Sequence, residues 1–330
     1  MLQRQRRENV IVILLFFLFL FGFFFLEEIK SSGPASQIDD SFIDLNTIFL
    51  SIVLEAFPFL LLGVFVSALI QSFVSEATIK RWTPKGGYIA LLPATLLAAL
   101  FPVCECAIIP VVRRLIKKGM PLHVGVVFLI AAPILNPIVF LSTYYAFRTD
   151  MAIVYARMGL AFILAMVIGA VIYKVFKNKN VLRNSDQHEH HDHVSISKWR
   201  QTMYHTTDEF FDTGKYLLIG AFLAGSFQTF VSREIISTLG SETWSSTVLM
   251  MGFAYLVSLC SEADAFVAAS FGTTFSRASI IAFLVYGPML DVKNTLMLLA
   301  YFKKKFVFIF IAVVTISVFI GIMLWKLLFL

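Results

Sequence analysis

The chain has 330 residues, of which 58% are hydrophobic and only 15% are charged. A soluble domain carries about 25% charged residues, so this composition excludes a soluble protein and predicts the lipid bilayer as the main partner. The formal net charge of +6 comes from short basic clusters beside apolar segments. Such clusters are typical of cytoplasmic loops in membrane proteins and give no reason to expect a nucleic acid partner.

The first apolar run covers residues 10–26 and follows Arg4, Arg6 and Arg7. Its 17 residues exceed the roughly 7–15 of a signal-peptide core, which favours an uncleaved transmembrane helix with a cytoplasmic N-terminus. Small residues at 31–35 leave signal cleavage as the alternative. Further runs, each able to cross about 30 Å of hydrocarbon, predict helices at 47–75, 121–147, 150–175, 208–232, 278–300 and 305–328. A multi-pass protein of the plasma membrane is therefore expected.

Two more apolar segments, 87–116 and 244–272, are predicted to enter the membrane without crossing it. Basic clusters flank the first of them on both sides: Lys80, Arg81 and Lys85 before it, and Arg113, Arg114, Lys117 and Lys118 after it. The positive-inside rule then places both of its ends in the cytoplasm, which predicts a re-entrant hairpin broken near Pro102. Such irregular backbone must be buried in protein or line a wet cavity. The alternative is a plain crossing that breaks the charge rule.

The two halves of the chain resemble each other. Residues 60–75 and 217–232 are identical at eight of sixteen aligned positions. At nearly the same offset, Cys104 falls on Cys260, and the pair Pro133 and Asn136 falls on Pro288 and Asp291. The charge pattern starts the first copy outside and the second inside, which is the inverted repeat of many secondary transporters.

These patterns predict an all-α polytopic membrane protein with two inverted structural repeats, re-entrant or broken hairpins and about 7–9 membrane segments. Residues 1–40 are expected to form an N-terminal transmembrane helix and an external loop, and residues 41–178 the first repeat. Residues 179–206 should form a His-rich cytoplasmic loop, and residues 207–330 the second repeat.

Two matched clusters are the strongest candidates for a substrate or ion pathway. The first is Cys104, Glu105 and Cys106 at the Pro-broken turn, where thiolates would suit soft ions and Glu105 could hold a proton or a cation. The second is Cys260, Glu262 and Asp264, since acids inside an apolar segment are costly and usually functional. The alternatives are thiols that act as small packing residues and acids that reach the surface.

Prolines and polar residues in two spans are further pathway candidates: Pro133, Asn136 and Pro137 in one span, and Pro288 and Asp291 in the other. A proline frees backbone carbonyls in a helix, and a nearby polar side chain adds a coordination point. The alternative is a simple kink. In the loop between the halves, His188, His190, His191 and His193 predict weak metal binding by composition, or simply a flexible solvated loop.

The stretch from Phe101 to Val139 resembles the predicted permease family of the ArsP/YraQ type, which includes a bacterial organoarsenical efflux permease. The resemblance is carried by Pro102, Cys104, Cys106, Pro110, Arg113, Arg114, Lys118, Gly119, Ala132, Pro133, Asn136 and Pro137. It implies a permease over roughly residues 45–330. The family commonly has Ser between the cysteines and Gly after them, where this chain has Glu105 and Ala107. Because of this extra carboxylate, a cation is also a candidate for the transported solute.

The sequence predicts a secondary transporter that exports a small thiophilic or cationic solute, such as a metal or metalloid species. Because no Gly-x4-Gly-Lys-Ser/Thr motif is present, uphill transport would need an ion gradient or a partner. No cofactor and no enzymatic activity are predicted, and the oligomeric state is left open. The alternatives are a divalent metal exporter that uses the His-rich loop and, from another class, a membrane thiol oxidoreductase or redox sensor.

Overall fold

A computed structural model describes Phe21 and residues 40–82, 87–177, 179–183, 198–230 and 243–329. The predicted helix at 10–26, apart from Phe21, and the histidines at 188–193 lie outside these ranges.

Helices dominate the described residues, in agreement with the predicted all-α class. In chain order they are α1 Asp40–Phe73, α2 Glu76–Trp82, α3 Leu91–Leu100, α4 Glu105–Lys117, α5 Leu122–Leu135, α6 Pro137–Ala146, α7 Met151–Phe176, α8 Lys198–Phe230, α9 Thr243–Val257, α10 Asp264–Ser270, α11 Arg277–Met289, α12 Val292–Tyr301 and α13 Lys304–Phe329.

Within the described ranges, five stretches are long and apolar enough to cross a bilayer: Ser41–Phe73, Leu122–Ala146, Met151–Phe176, Arg277–Tyr301 and Lys304–Phe329. Residues 208–230 of the predicted span 208–232 lie in α8, which is not one of the five. Polar and charged residues fill the first half of α8 and continue to Lys215, which lowers its mean hydropathy. The number of membrane segments therefore stays a prediction.

The order of helices in the first half recurs in the second. Helices α1 and α8 have 34 and 33 residues, α6 and α12 have 10 each, and α7 and α13 have 26 each. The matched cysteines lie in matched breaks, because Cys104 precedes α4 and Cys260 precedes α10. This correspondence supports the internal repeat inferred from the sequence.

Matched capping residues produce the second pair of breaks. Asn136 Oδ1 accepts a hydrogen bond from the Val139 N–H at 2.9 Å, and Asp291 Oδ1 accepts one from the Asn294 N–H at 2.6 Å. Both are N-cap bonds, which start a new helix where the previous one ends. Pro137 has no N–H to donate, and Asn136 Nδ2 donates instead to the Pro133 carbonyl at 3.4 Å.

The first interrupted segment is a hairpin whose two ends lie together. Helices α3 and α4 are separated by the extended residues 101–104, which confirms the predicted break near Pro102. Tyr173, near the C-terminus of α7, packs its ring 5.0 Å from Tyr88 before α3 and 4.7 Å from His123 after α4. Both ends of the hairpin therefore lie at the C-terminal end of α7, as a re-entrant segment requires.

The second interrupted segment opens at the opposite end of α7. Asp150, which precedes α7, pairs with Arg277 at 2.6 Å at the start of α11. Ser246 near the start of α9 hydrogen-bonds Ser279 in the first turn of α11 at 2.8 Å. The hairpin formed by α9 and α10 thus begins and ends near the N-terminus of α7, so the two hairpins enter the helix bundle from opposite ends.

Two glycines at matched positions bring the long helices against the broken ones. A Cβ on Gly63 of α1 would lie 2.6 Å from the Cα of Ala107 in α4. A Cβ on Gly220 of α8 would lie 2.8 Å from the Cα of Lys293 in α12. Helices α4 and α12 can therefore pack directly on α1 and α8, and this close packing fixes the backbone on which the candidate site is built.

Candidate functional site

The tip of the first hairpin carries a buried carboxylate that faces a lysine from the other half of the chain. Glu105 is the first residue of α4 and is 2% exposed. Lys293 in α12 is 1% exposed, and its Nζ lies 3.9 Å from Glu105 Oε1. The same Nζ lies 3.9 Å from Oδ2 of Asp291, which is fully buried. Three ionisable side chains thus meet where α4 packs against α12, and they are called the central site below.

Three carboxylate oxygens of the central site have no hydrogen-bond donor. Both oxygens of Glu105 and Oδ2 of Asp291 are buried without a partner. The distance of 3.9 Å to Lys293 Nζ exceeds the roughly 2.7–3.2 Å of a hydrogen bond. Buried polar atoms nearly always have a partner, so these oxygens indicate that the site binds a proton, a cation or water.

The three cysteines lie near this carboxylate. All three are free thiols and are buried. Cys260 is within electrostatic range of Glu105 and Cys106, and Cys104 is within range of Glu105 and Glu262. The matched cysteines of the two halves are therefore both within electrostatic range of Glu105. In the described part of the chain, no three His, Cys, Asp or Glu side chains are arranged to bind a metal ion together.

The tip of the second hairpin carries a buried ion pair with much tighter geometry. Arg157 in α7 is fully buried, and its Nη2 donates to Asp264 Oδ2 at 2.9 Å. It also donates to the Ser261 carbonyl at 3.1 Å, and its Nη1 donates to Thr143 Oγ1 at 2.7 Å. Asp264 begins α10 as Glu105 begins α4. At each hairpin tip, an acid therefore pairs with a cation from the opposite half.

A third ion cluster lies at the far end of α4. Arg114 Nη2 contacts Glu209 Oε2 at 3.1 Å, and Arg113 Nη1 contacts Oε1 at 3.5 Å. Ser67 of α1 donates to the same Glu209 carboxylate at 2.9 Å. The Arg113 guanidinium also lies 4.3 Å from the ring centre of Tyr301. These contacts join α1, α4, α8 and α12 at the end where the first hairpin opens.

Sequence reasoning missed both buried cations. Arg157 and Lys293 are single basic residues inside predicted apolar spans, and an ionisable residue in such a span is a functional candidate by default. The pairing itself could not be predicted, because Lys293 and Glu105 are far apart in the chain.

The other predicted residues have varied surroundings. Asn136 is buried, and its amide makes local hydrogen bonds at the helix break. Pro137 is exposed at the surface, Pro133 and Pro288 are buried within their helices, and Glu262 is partly buried. Asp291 is the one member of this proline and polar set that reaches the central site.

The chain matches a family model described as a predicted permease, ArsP_1, over residues 41–327. The chain belongs to this permease family. The match confirms the family resemblance seen in the sequence and shows a membrane permease.

Two relatives of this permease cover most of its length. The UPF0718 protein YcgR of Bacillus subtilis (strain 168) is 49% identical over 289 residues, which are 87% of this chain and 98% of the relative. A Streptococcus mutans protein, named as a two-component membrane permease complex subunit, is 36% identical over 280 residues, or 84% of this chain and 93% of the relative. No solved structure matches the permease.

Proposed function

We propose that this permease is a secondary transporter that exports a small cationic solute through the central site by alternating access. The observation that carries the proposal is the group of buried carboxylate oxygens of Glu105 and Asp291 that have no hydrogen-bond donor. A carboxylate inside a membrane segment costs about 3 kcal/mol on insertion scales. That cost is offset when a transported cation or a proton occupies the site during the cycle.

The arrangement of the hairpins supports alternating access. They enter the bundle from opposite ends of α7, and their tips carry the buried charges. In transporters with inverted repeats, substrate sites form where broken helices meet, and one repeat moves against the other. We infer that opening at one end requires separation of Arg114 from Glu209, which lie 3.1 Å apart.

The Streptococcus mutans relative is named as a subunit of a two-component complex. We propose that this permease also assembles with a second protein component. Purification of the tagged protein from its native membrane tests the assembly. A second protein that co-purifies with the permease in a constant molar ratio would support it, and a pure homo-oligomer with full transport activity would refute it.

The test of the central site compares two Glu→Gln variants in a strain that lacks the permease. Cells that express the wild-type chain are challenged with a panel of metal cations, metalloids and organic cations. Glu105→Gln should lose the protection while staying in the membrane. Glu76→Gln, which neutralises an exposed glutamate at the start of α2, should protect like wild type. Full protection by Glu105→Gln against every compound that the wild type exports would overturn the proposal.

A further inference from the structure

The charges of the central site do not balance, and the imbalance sets what the site can hold. When both carboxyl groups are ionised, Glu105 and Asp291 bring two negative charges, and Lys293 brings one positive charge. All three side chains are at most 2% exposed, so water cannot compensate the remaining negative charge. A buried uncompensated charge is strongly unfavourable. One further positive charge would make the site neutral, whereas two would reverse its sign.

Lys293 neutralises charge without filling the site. Its Nζ lies at the same distance, 3.9 Å, from Glu105 Oε1 and Asp291 Oδ2, which is too long for a hydrogen bond to either. Both Glu105 oxygens and Asp291 Oδ2 are therefore still open to a donor or a cation. The other Asp291 oxygen accepts the N-cap bond from Asn294, so it is already used.

The neighbouring ionisable groups leave this balance unchanged. Arg157 and Asp264 neutralise each other at 2.9 Å in their own site, and Glu209 pairs with two arginines at the end of α4. The groups within electrostatic range of Glu105 or of the thiols beside it are Glu55, Cys104, Cys106, Cys260 and Glu262. Among them the thiols are neutral in their ordinary form. Glu55 is exposed and Glu262 partly buried, so water can solvate both carboxylates.

The backbone of Lys293 is fixed in place. Its Cα sits against Gly220, where a Cβ would approach to 2.8 Å. It is also the second residue of α12, two positions after the Asp291 cap. The ammonium is therefore held beside Asp291 within the second half of the chain.

We infer that Lys293 is a tethered countercharge that makes the central site selective for a single monovalent cation, a proton or an alkali metal ion, over divalent cations. The inference rests on the proposed transport through this site. With Lys293 present, a divalent ion would leave a buried excess of positive charge. Without Lys293, two carboxylates would match a divalent ion.

The experiment uses the full-length protein in liposomes with the cation in one compartment. Proton flux is followed with a pH dye, Rb⁺ flux with the radioisotope, and Mn²⁺ entry by quenching of an internal dye. Wild type should move protons or Rb⁺ and not Mn²⁺. The pH dye and the Rb⁺ isotope show whether the transported ion is a proton or an alkali metal ion. Lys293→Met should lose the monovalent flux and gain Mn²⁺ flux or binding by about tenfold or more, because selectivity follows the difference in binding free energy.

Two further variants keep the test decisive. Lys293→Arg retains the charge and should retain the monovalent preference, whereas Lys215→Met removes a lysine of α8 outside the site and should leave the wild-type preference unchanged. If Lys293→Met does not insert into the membrane, Lys293→Gln replaces it. Binding of Mn²⁺ by this variant and by wild type is then compared in detergent through the shift of the melting temperature when Mn²⁺ is added. An unchanged preference in every Lys293 variant, with Glu105→Gln inactive, would overturn the countercharge while the transport site stands. Full activity of Glu105→Gln would overturn the transport site itself.

Discussion

Lys293 and Glu105 come from opposite halves of the chain, yet the lysine Nζ lies 3.9 Å from Glu105 Oε1 and both side chains are almost completely buried. The contact joins the tip of the first hairpin to the broken span of the second half. Because it crosses between the halves, any movement of one half against the other must change it. A contact of this kind can link the occupancy of the site to the conformation of the protein.

Replacement of Lys293 alone should destabilise the protein more than replacement of Lys293 and Glu105 together. Lys293→Met leaves two buried carboxylates without a countercharge, which costs about 3–5 kcal/mol. In the double variant Lys293→Met with Glu105→Gln, part of the lost stability should be regained, because only one carboxylate then remains. Melting temperatures in detergent, followed by tryptophan fluorescence, measure the three proteins. Additive losses in the double variant would mean that the two side chains do not interact.

The two ion pairs of the second hairpin should differ sharply in their contribution to stability. Arg157→Met removes the partner of a buried carboxylate and three hydrogen bonds, so we expect a loss of about 3–5 kcal/mol. Arg277→Met breaks the pair with Asp150, in which the arginine side chain is 55% exposed, and should cost only about 0–1 kcal/mol. Equal melting temperatures for the two variants would show that the Arg157 pair does not anchor the hairpin.

The close packing of α8 on α12 predicts different effects for two glycines of one helix. A methyl group on Gly220 would approach the Lys293 Cα to 2.8 Å, whereas one on Gly214 meets nothing within 4 Å. Gly220→Ala should displace α12 and cost about 1–3 kcal/mol through overpacking. Gly214→Ala should be neutral or stabilising, because alanine favours a helix. Thermal melting and transport by both variants test this, and a stable, active Gly220→Ala would show that the helices are less closely packed.

The sequence predicted the all-α class and the break near Pro102 because both depend on local features. Apolar length predicts spanning helices, and a proline marks a place where a helix can end. The breaks at Asn136 and Asp291 were not predicted, since both lie inside apolar runs long enough to be read as uninterrupted spans. Which cation meets which acid could not be predicted, since the pairing of Lys293 with Glu105 depends on how α4 packs against α12. Nor could the local role of Asn136 be separated from a pathway role without its hydrogen-bond partners.

The basic clusters predict that one end of the helix bundle faces the cytoplasm. Lys118 donates to the Gln71 carbonyl at the C-terminus of α1, and Leu182 forms a β-bridge with Phe302 just before the lysines at 303–305. Single cysteines at Lys117 and His190, in a chain without its native cysteines, should resist an impermeant thiol reagent applied from outside. A cysteine at the exposed Thr149, before α7, should react. Reaction at Lys117 but not at Thr149 would reverse the orientation.

The acids of the hairpin tips should matter more for transport than the loop histidines. Glu262 is partly buried beside the second break and is within electrostatic range of Glu55 and Arg157. Glu262 is also within electrostatic range of Glu105, so its negative charge should attract cations towards the central site. Glu262→Gln should therefore slow transport at low solute concentration and spare the maximal rate.

The comparison variant replaces His188, His190, His191 and His193 with alanine. Its transport should stay close to wild type, because solvated histidines bind metal only weakly and no step at the central site needs them. Initial rates in liposomes across a range of solute concentrations separate the two effects. If the Glu262 variant is normal and the histidine variant is inactive, the cargo is recognised in the cytoplasmic loop. The protein would then act as the divalent metal exporter that the His-rich loop suggested.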